Sequence, residues 1–167
     1  YGDEIGMGDN IWLDDRDGVR TPMQWSAAAN AGFSEADPAA LYCPVIDDAA
    51  YGYRRVNVAA QTTDPGSLWH RMRNMIRVRR EQPALGRGAI QFLDLGTRAV
   101  LAYVRDHHGE KVLAVNNLSD SAQTVVLPAA QLPAAGAVDL LDGISLPSTT
   151  AEGLRLELAP YQYLWLK

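Results

Sequence analysis

Apolar residues recur along this chain in two rhythms, and over its first third in neither. From residue 1 to about 64 no helical or strand period is sustained, while Gly, Asp, Asn and Pro recur throughout. That segment reads as loop with short elements, and loops of such length are normally functional or belong to a larger body. Next, Leu68, Met72, Met75 and Ile76 fall on one face at three- and four-residue spacing. With Asp64 as N-cap, Pro65 in the first turn and Pro83 as terminator, this predicts a helix over 65–83. Past Gly86 the period switches to near two, and 89–95, 99–105, 111–117, 123–127, 137–141, 154–158 and 161–166 read as strands. Asp106-His107-His108-Gly109-Glu110 supplies a hairpin connection. Seven short strands with no helix between them predict an antiparallel β-sandwich of about eighty residues. The Ala- and Pro-rich stretch from Ala129 to Ala137 reads as loop.

Composition narrows the class of partner. A chain of 167 residues with 47% hydrophobic and 21% charged residues has the balance of a globular protein, and no apolar run reaches the roughly 20 residues that span a bilayer. Tyr1 opens the chain without a signal-like segment, so the expectation is a piece of a longer protein. A net charge of −5 argues against nucleic acid as the main partner, although Arg71, Arg73, Arg77, Arg79 and Arg80 decorate the helix. Arginines toward a helix C-terminus are equally expected as a solvated face that complements the macrodipole. The single Cys43 has no partner for an internal disulfide, and a reducing, cytoplasmic setting is expected.

Candidate chemistry concentrates between residues 1 and 25. Arg16 and Arg20, with Asp17, Glu4, Gln24 and Trp25 nearby, are what a sugar pocket requires: hydroxyls want planar donors and acceptors, and a pyranose face packs on an aromatic ring. On spacing alone, an ion-pair network of Arg16, Asp17 and Arg20 that merely holds a loop explains the same residues. His107 and His108 at a hairpin tip make a poor metal site without further ligands. Met72 and Met75 read as packing residues. Tyr161, Tyr163 and Trp165 alternate on the last strand, as a sugar-stacking face or, more often, as sheet packing.

The string Tyr1-Gly2-Asp3-Glu4-Ile5-Gly6-Met7-Gly8-Asp9-Asn10 resembles the segment after the eighth barrel strand in the α-amylase superfamily of glycoside hydrolases. Arg16-Asp17-Gly18-Val19-Arg20-Thr21-Pro22-Met23-Gln24-Trp25 narrows the resemblance to the trehalose synthase and oligo-1,6-glucosidase neighbourhood. Asn30-Ala31-Gly32-Phe33-Ser34, Leu41-Tyr42-Cys43-Pro44-Val45-Ile46 and Val56-Asn57-Val58 favour the trehalose synthase branch. It continues through Ser67-Leu68-Trp69 and the helix, past 83–88, to Asn116-Asn117-Leu118-Ser119.

The resemblance implies a mixed fold: the end of a TIM (β/α)8 barrel, comprising the loop after strand eight and the eighth helix, over 1–86, then an all-β antiparallel sandwich over 87–167. A whole barrel needs roughly 250 residues, so its earlier strands lie outside this chain. It further implies maltose and trehalose as substrates, interconverted by retaining α-glucosyl transfer between carboxylates about 5 Å apart. Those carboxylates belong to earlier strands, so no catalytic residue is expected here and the isolated chain is expected to be inactive. Arg16, Asp17, Arg20, Glu4 and Gln24 are the candidate substrate-binding residues. No cofactor is expected in this chain; a calcium ion, if present, belongs upstream. Neither nucleic acid nor membrane is an expected partner, whereas the rest of the barrel is. The alternatives are the same portion of an oligo-1,6-glucosidase or α-glucosidase, and a sandwich acting as a non-catalytic carbohydrate-binding module.

Overall fold

Alternation in the second half of the chain becomes two facing antiparallel sheets. The computed structural model describes residues 1–132 and 136–167, which divide into two compact units, Tyr1–Asn74 and Met75–Lys167. In the second unit, β1 (Ala89–Leu93), β2 (Val100–His107), β3 (Glu110–Asn117) and β6 (Tyr163–Leu166) form a four-stranded sheet in the order β1-β2-β3-β6. A two-stranded sheet pairs β4 (Gln123–Leu127) with β5 (Leu154–Leu158). Every pairing is antiparallel.

One face of β2, β3, β4, β5 and β6 supplies the core, while β1 is largely exposed with Leu93 packed against that core. Val100, Val104, Leu113, Val115, Leu164 and Leu166 from the larger sheet meet Val125, Leu127, Leu154, Leu156 and Leu158 from the smaller. On the opposite face of β3, Val112 packs with Ala84 and Leu85 of the short helix α3 (Pro83–Arg87), beside Trp165 and Leu140. The α3–β1 junction is tight: a Cβ at Gly88 would lie 2.6 Å from the Ala84 carbonyl oxygen and 2.8 Å from that of Asp106. The β2–β3 hairpin turns on His108 and Gly109, both left-handed (φ 53° and 88°), as a two-residue turn matched to strand twist requires.

Six of the expected strands form. The seventh, 137–141, does not extend as a strand; Val138 and Asp139 make isolated bridges to Ser145 and Leu166. The reason is local: Asp139 spends its carboxylate on backbone, its Oδ1 accepting the N–H groups of Leu141 (3.2 Å) and Trp165 (3.0 Å). The chain turns after a short run of backbone bonds to the end of β6, in which Val138 exchanges hydrogen bonds with Lys167 and Leu140 N–H donates to the Trp165 carbonyl. Tyr161 also falls outside its expected strand, at φ 56°, so no regular aromatic stripe runs from Tyr161 through Tyr163 to Trp165. In the expected loop from Ala129 to Ala137, Ala129–Gln131 is a 3₁₀ turn, and residues 133–135 lie outside the described residues.

Asp139 is itself buried, and its Oδ2 has no hydrogen-bond partner among the described residues. Burial raises its pKa above the ordinary 3.8, with Asp142 adding repulsion, against the lowering effect of the Trp165 and Leu141 N–H groups. A raised folded pKa means that its stabilising contribution is complete below 3.8 and is lost as pH rises through the folded value. Asp139→Asn cannot ionise. The stability difference between wild type and this variant is therefore expected to move in the variant's favour as pH rises through that window, measured as melting temperature against pH. A pH-independent difference would contradict the assignment.

The expected helix over 65–83 forms as one helix with a later start, and a second short helix follows it. The helix α2 (Leu68–Glu81) stops before Pro83, which opens α3 at its first turn, where a missing N–H costs nothing. Nor does Asp64 cap α2. Asp64 follows a further short helix, α1 (Val58–Thr63), and closes a turn in which its Oδ1 accepts Gly66 N–H at 2.9 Å and its carbonyl accepts Ser67 N–H at 3.0 Å. Ser67 takes the N-terminal role: its carbonyl accepts Arg71 N–H and its hydroxyl oxygen accepts His70 N–H. Of the expected apolar face of α2, Leu68 and Ile76 are exposed and Met72 and Met75 half-buried; Val78 is the buried residue.

Candidate functional site

Residues 1–64 fold, as expected, with little regular structure: 3₁₀ turns at Asp3–Ile5, Asp17–Arg20, Ala29–Gly32 and Pro38–Ala40 precede α1. Backbone in irregular conformation needs side chains to satisfy it, and buried amides do so here. Gln24, with 0% of its surface exposed, donates from Nε2 to the carbonyls of Tyr51 (3.0 Å) and Val56. Asn57 caps α1 by accepting Ala60 N–H at 2.8 Å and donates to the Tyr53 carbonyl at 2.9 Å. Gln61 donates to the Ile5 carbonyl at 2.6 Å and accepts Trp69 N–H at 3.1 Å. Asn30 donates to the carbonyls of Ser34 (3.0 Å) and Ala36 (2.7 Å).

Asn30, Ala31 and Gly32 are left-handed in succession, at φ 49°, 60° and 68°. Asn and Gly tolerate that region; Ala31 is held there with none of its surface exposed, so its methyl is all the site accommodates. The chain thus reverses, and Trp25 and Ser26 donate their N–H groups to the Ala31 carbonyl at 2.9 and 3.0 Å.

The candidate binding residues separate into two groups. Gln24 is inside, both N–H bonds committed to backbone, so its expected place in a sugar pocket is corrected: it braces the loop. Glu4 stands exposed in the first 3₁₀ turn, and Arg16 and Arg20 are exposed on either side of Gly18. The ion-pair network that spacing allowed for Arg16, Asp17 and Arg20 is not formed among the described residues. Asp17 instead accepts a hydrogen bond from the Tyr42 hydroxyl at 3.2 Å. The ion pairs Arg54–Asp47, Arg77–Glu81 and Lys167–Glu110 lie elsewhere.

Arg20 lines a hollow of about 190 Å³ with Tyr1, Pro22, Phe33, Leu41, Tyr42 and Cys43. Tyr1, Phe33 and Tyr42 are largely exposed, so aromatic faces flank one guanidinium. Thr21, whose carbonyl accepts the Tyr1 hydroxyl, is buried behind it. The Asp17 hydrogen bond and then its charge raise the Tyr42 pKa, which keeps the phenol protonated as a donor. Burial first, and Asp17 second, push the Cys43 thiol up, so it stays a thiol and not a nucleophile. Such a surface offers stacking faces, a charged planar donor and a polarised hydroxyl, but no acid–base pair.

Sequence reasoning missed Tyr1, Phe33 and Cys43 as lining and Tyr42 as the partner of Asp17. The available signal was the aromatic and apolar character of segments 30–34 and 41–46, which no periodicity links to residue 20. The rings of His107 and His108 lie 4.3 Å apart, tilted by 55°, and no group of three or more His, Cys, Asp or Glu arranged for a metal occurs among the described residues. No helix there is long and apolar enough to cross a membrane.

Comparison with known proteins assigns the class. Residues 1–88 match the α-amylase catalytic domain and residues 90–165 the C-terminal domain of maltogenic amylases. This chain belongs to the α-amylase family, contributing the end of a catalytic domain and the C-terminal β-domain that follows. Within the family it is similar to trehalose synthases. It is 45% identical over 171 residues to the trehalose synthase of Pimelobacter sp. (strain R48), covering 100% of this chain and 30% of that protein. It is also 45% identical over 170 residues to the trehalose synthase/amylase TreS of Mycobacterium tuberculosis (strain H37Rv), covering 100% of this chain and 28% of that protein. The crystal structure of trehalulose synthase MutB from Pseudomonas mesoacidophila MX-45 superimposes with a TM-score of 0.72 at 32% identity, covering 95% of this chain and 27% of that one. The chain thus spans about 30% of the length of the curated relatives it matches.

Proposed function

We propose that this chain is the C-terminal portion of an enzyme that interconverts maltose and trehalose by intramolecular, retaining α-glucosyl transfer. The carrying observation is the 45% identity with trehalose synthases along the whole chain. The hollow beside Arg20 is compatible with the same reading, because its aromatic faces can stack a pyranose while the guanidinium donates to hydroxyls. In this reading the nucleophile and the acid reside on barrel strands preceding Tyr1, and a calcium ion, where one is held, is bound there too. Residues 1–86 complete the barrel and 87–167 form the sandwich. The enzyme acts in the cytoplasm.

Arg20 and Arg16 then hold sugar hydroxyls or a pairing carboxylate of another loop, with Asp17 presenting the Tyr42 hydroxyl. Keeping water from the glucosyl-enzyme decides between isomerisation and hydrolysis, and a lined hollow over the site serves that end. Incubating the enzyme that carries this chain with maltose, and separating the products, is expected to yield mainly trehalose. Glucose alone would assign the chain to the α-glucosidase branch. Arg20→Ala is expected to lower kcat/KM on maltose about tenfold to a hundredfold, the loss of one charge-assisted hydrogen bond to the bound sugar. Unchanged kinetics in that variant would remove Arg20 from the binding surface.

A further inference from the structure

A second hollow, of about 220 Å³, opens between residues 9–12 and 45–48. Its most prominent group is Trp12, 87% exposed, an indole presented almost whole to solvent. Exposure here is imposed by the local backbone. Asn10 donates its N–H to the Gly18 carbonyl at 3.2 Å, accepts Leu13 N–H on its own carbonyl at 3.1 Å, and accepts Trp12 N–H on its side-chain oxygen at 3.2 Å. The turn is thereby fixed with the indole pointing outward.

The opposite wall is equally fixed. Ile46 is buried and its carbonyl accepts Tyr53 N–H at 3.0 Å, while Asp48 Oδ1 accepts the N–H groups of Ala50 and Tyr51, both at 2.7 Å. Asp47 holds Arg54. An indole face thus stands beside the carboxylates of Asp9 and Asp48 and the amide of Asn10, all on segments held before any ligand arrives.

We propose that this hollow is a sugar subsite in which the apolar face of a neutral hexopyranose stacks on Trp12 while its hydroxyls donate to Asp9 and Asp48. An apolar protein segment covering Trp12 would bury the Asp9 carboxylate and the second carboxylate oxygen of Asp48, whose Oδ1 alone is held by backbone, without donors, which is costly; a pyranose brings the donors with it. An anionic ligand is repelled. The proposal rests on the carbohydrate-active reading above but not on whether the enzyme isomerises or hydrolyses.

The test uses the full-length enzyme carrying this chain, labelled with 5-fluorotryptophan and titrated with maltose while the ¹⁹F spectrum is followed. Trp12→Phe identifies the Trp12 resonance by its absence. That resonance is expected to shift saturably with maltose, and Trp12→Ala to raise the half-saturating maltose concentration about three- to tenfold, the worth of one stacked ring. Trp12→Phe, which keeps an aromatic face, is expected to recover most of that loss. A Trp12 resonance unmoved at saturating maltose overturns the subsite. Failure to form trehalose from maltose, with the resonance still shifting, would defeat the isomerase reading and leave the subsite standing.

Discussion

Replacing Gln24 with methionine, which keeps the length of the side chain and removes its donors, is expected to destabilise the protein by roughly 2–5 kcal/mol. Nε2 supplies hydrogen bonds to the carbonyls of Tyr51 and Val56 from a position with no exposure to water. Each carbonyl left without a donor in that setting costs about 1–3 kcal/mol. Neither finds a substitute nearby, because the surrounding backbone is irregular and offers no ladder to rejoin. Gln24→Glu is expected to be at least as damaging, since it aims a carboxylate at two carbonyl oxygens. The urea midpoint of the first unfolding transition measures both variants; a loss under about 0.5 kcal/mol would show that the loop is held by other means. The result also separates bracing from binding. Gln24 variants should lose stability first, whereas Arg20→Ala should lose kcat/KM with little change in midpoint.

The second large effect is expected at Asn117, at the end of β3. Its Nδ2 donates to the carbonyls of Ser121 (2.8 Å) and Ala159 (2.9 Å), and its Oδ1 accepts the N–H (3.0 Å) and hydroxyl (2.7 Å) of Ser119. One buried amide therefore joins the loop after β3 to the turn after β5. Asn117→Asp preserves the shape and the acceptor but loses both donations, placing an ionisable oxygen against two carbonyls. A destabilisation of roughly 3–5 kcal/mol is expected at neutral pH. It should lessen on acidification, because a protonated carboxyl again donates one hydrogen bond. Denaturant midpoints of the variant at pH 7 and pH 4.5 check both statements, and identical losses at the two pH values would rule out the charge as the cause.

The sandwich was legible where strands bury one face, as β2, β4 and β5 do, because there period two is the imprint of packing; β1 is largely exposed and β3 is covered on both faces. Leu154–Leu158 alternates without interruption in its letters and Gln123–Leu127 in its burial, and the observed bounds of both coincide with the expected ones. Where a side chain competes with the ladder, as Asp139 does, the apolar letters around it persist while the strand does not extend. α1 was illegible for another reason: six residues leave no room for a helical period, and its start is marked only by Asn57. For α2, Asp64 and Ser67 are both good caps by residue type, and the Asp64–Ser67 turn decided between them.

The candidate site was legible as a composition and not as a geometry. Arg20 stood out as a candidate by residue type, while the residues that share its hollow, Tyr1, Phe33 and Tyr42, come from segments up to 22 residues away in sequence, joined by turns no period announces. Gln24 was misread because an amide beside arginines looks the same whether it faces a sugar or a carbonyl.

The left-handed run at Asn30, Ala31 and Gly32 has a consequence for anyone altering what this protein recognises. Those letters, with Gln24 and Asn57, encode a backbone path and tolerate almost no variation, so a mutant library spent on them yields mostly unfolded protein. Trp12, Trp25 and Tyr42 project from the same path with more than half of their surface in solvent. Randomising these three positions searches new specificities on an unchanged frame.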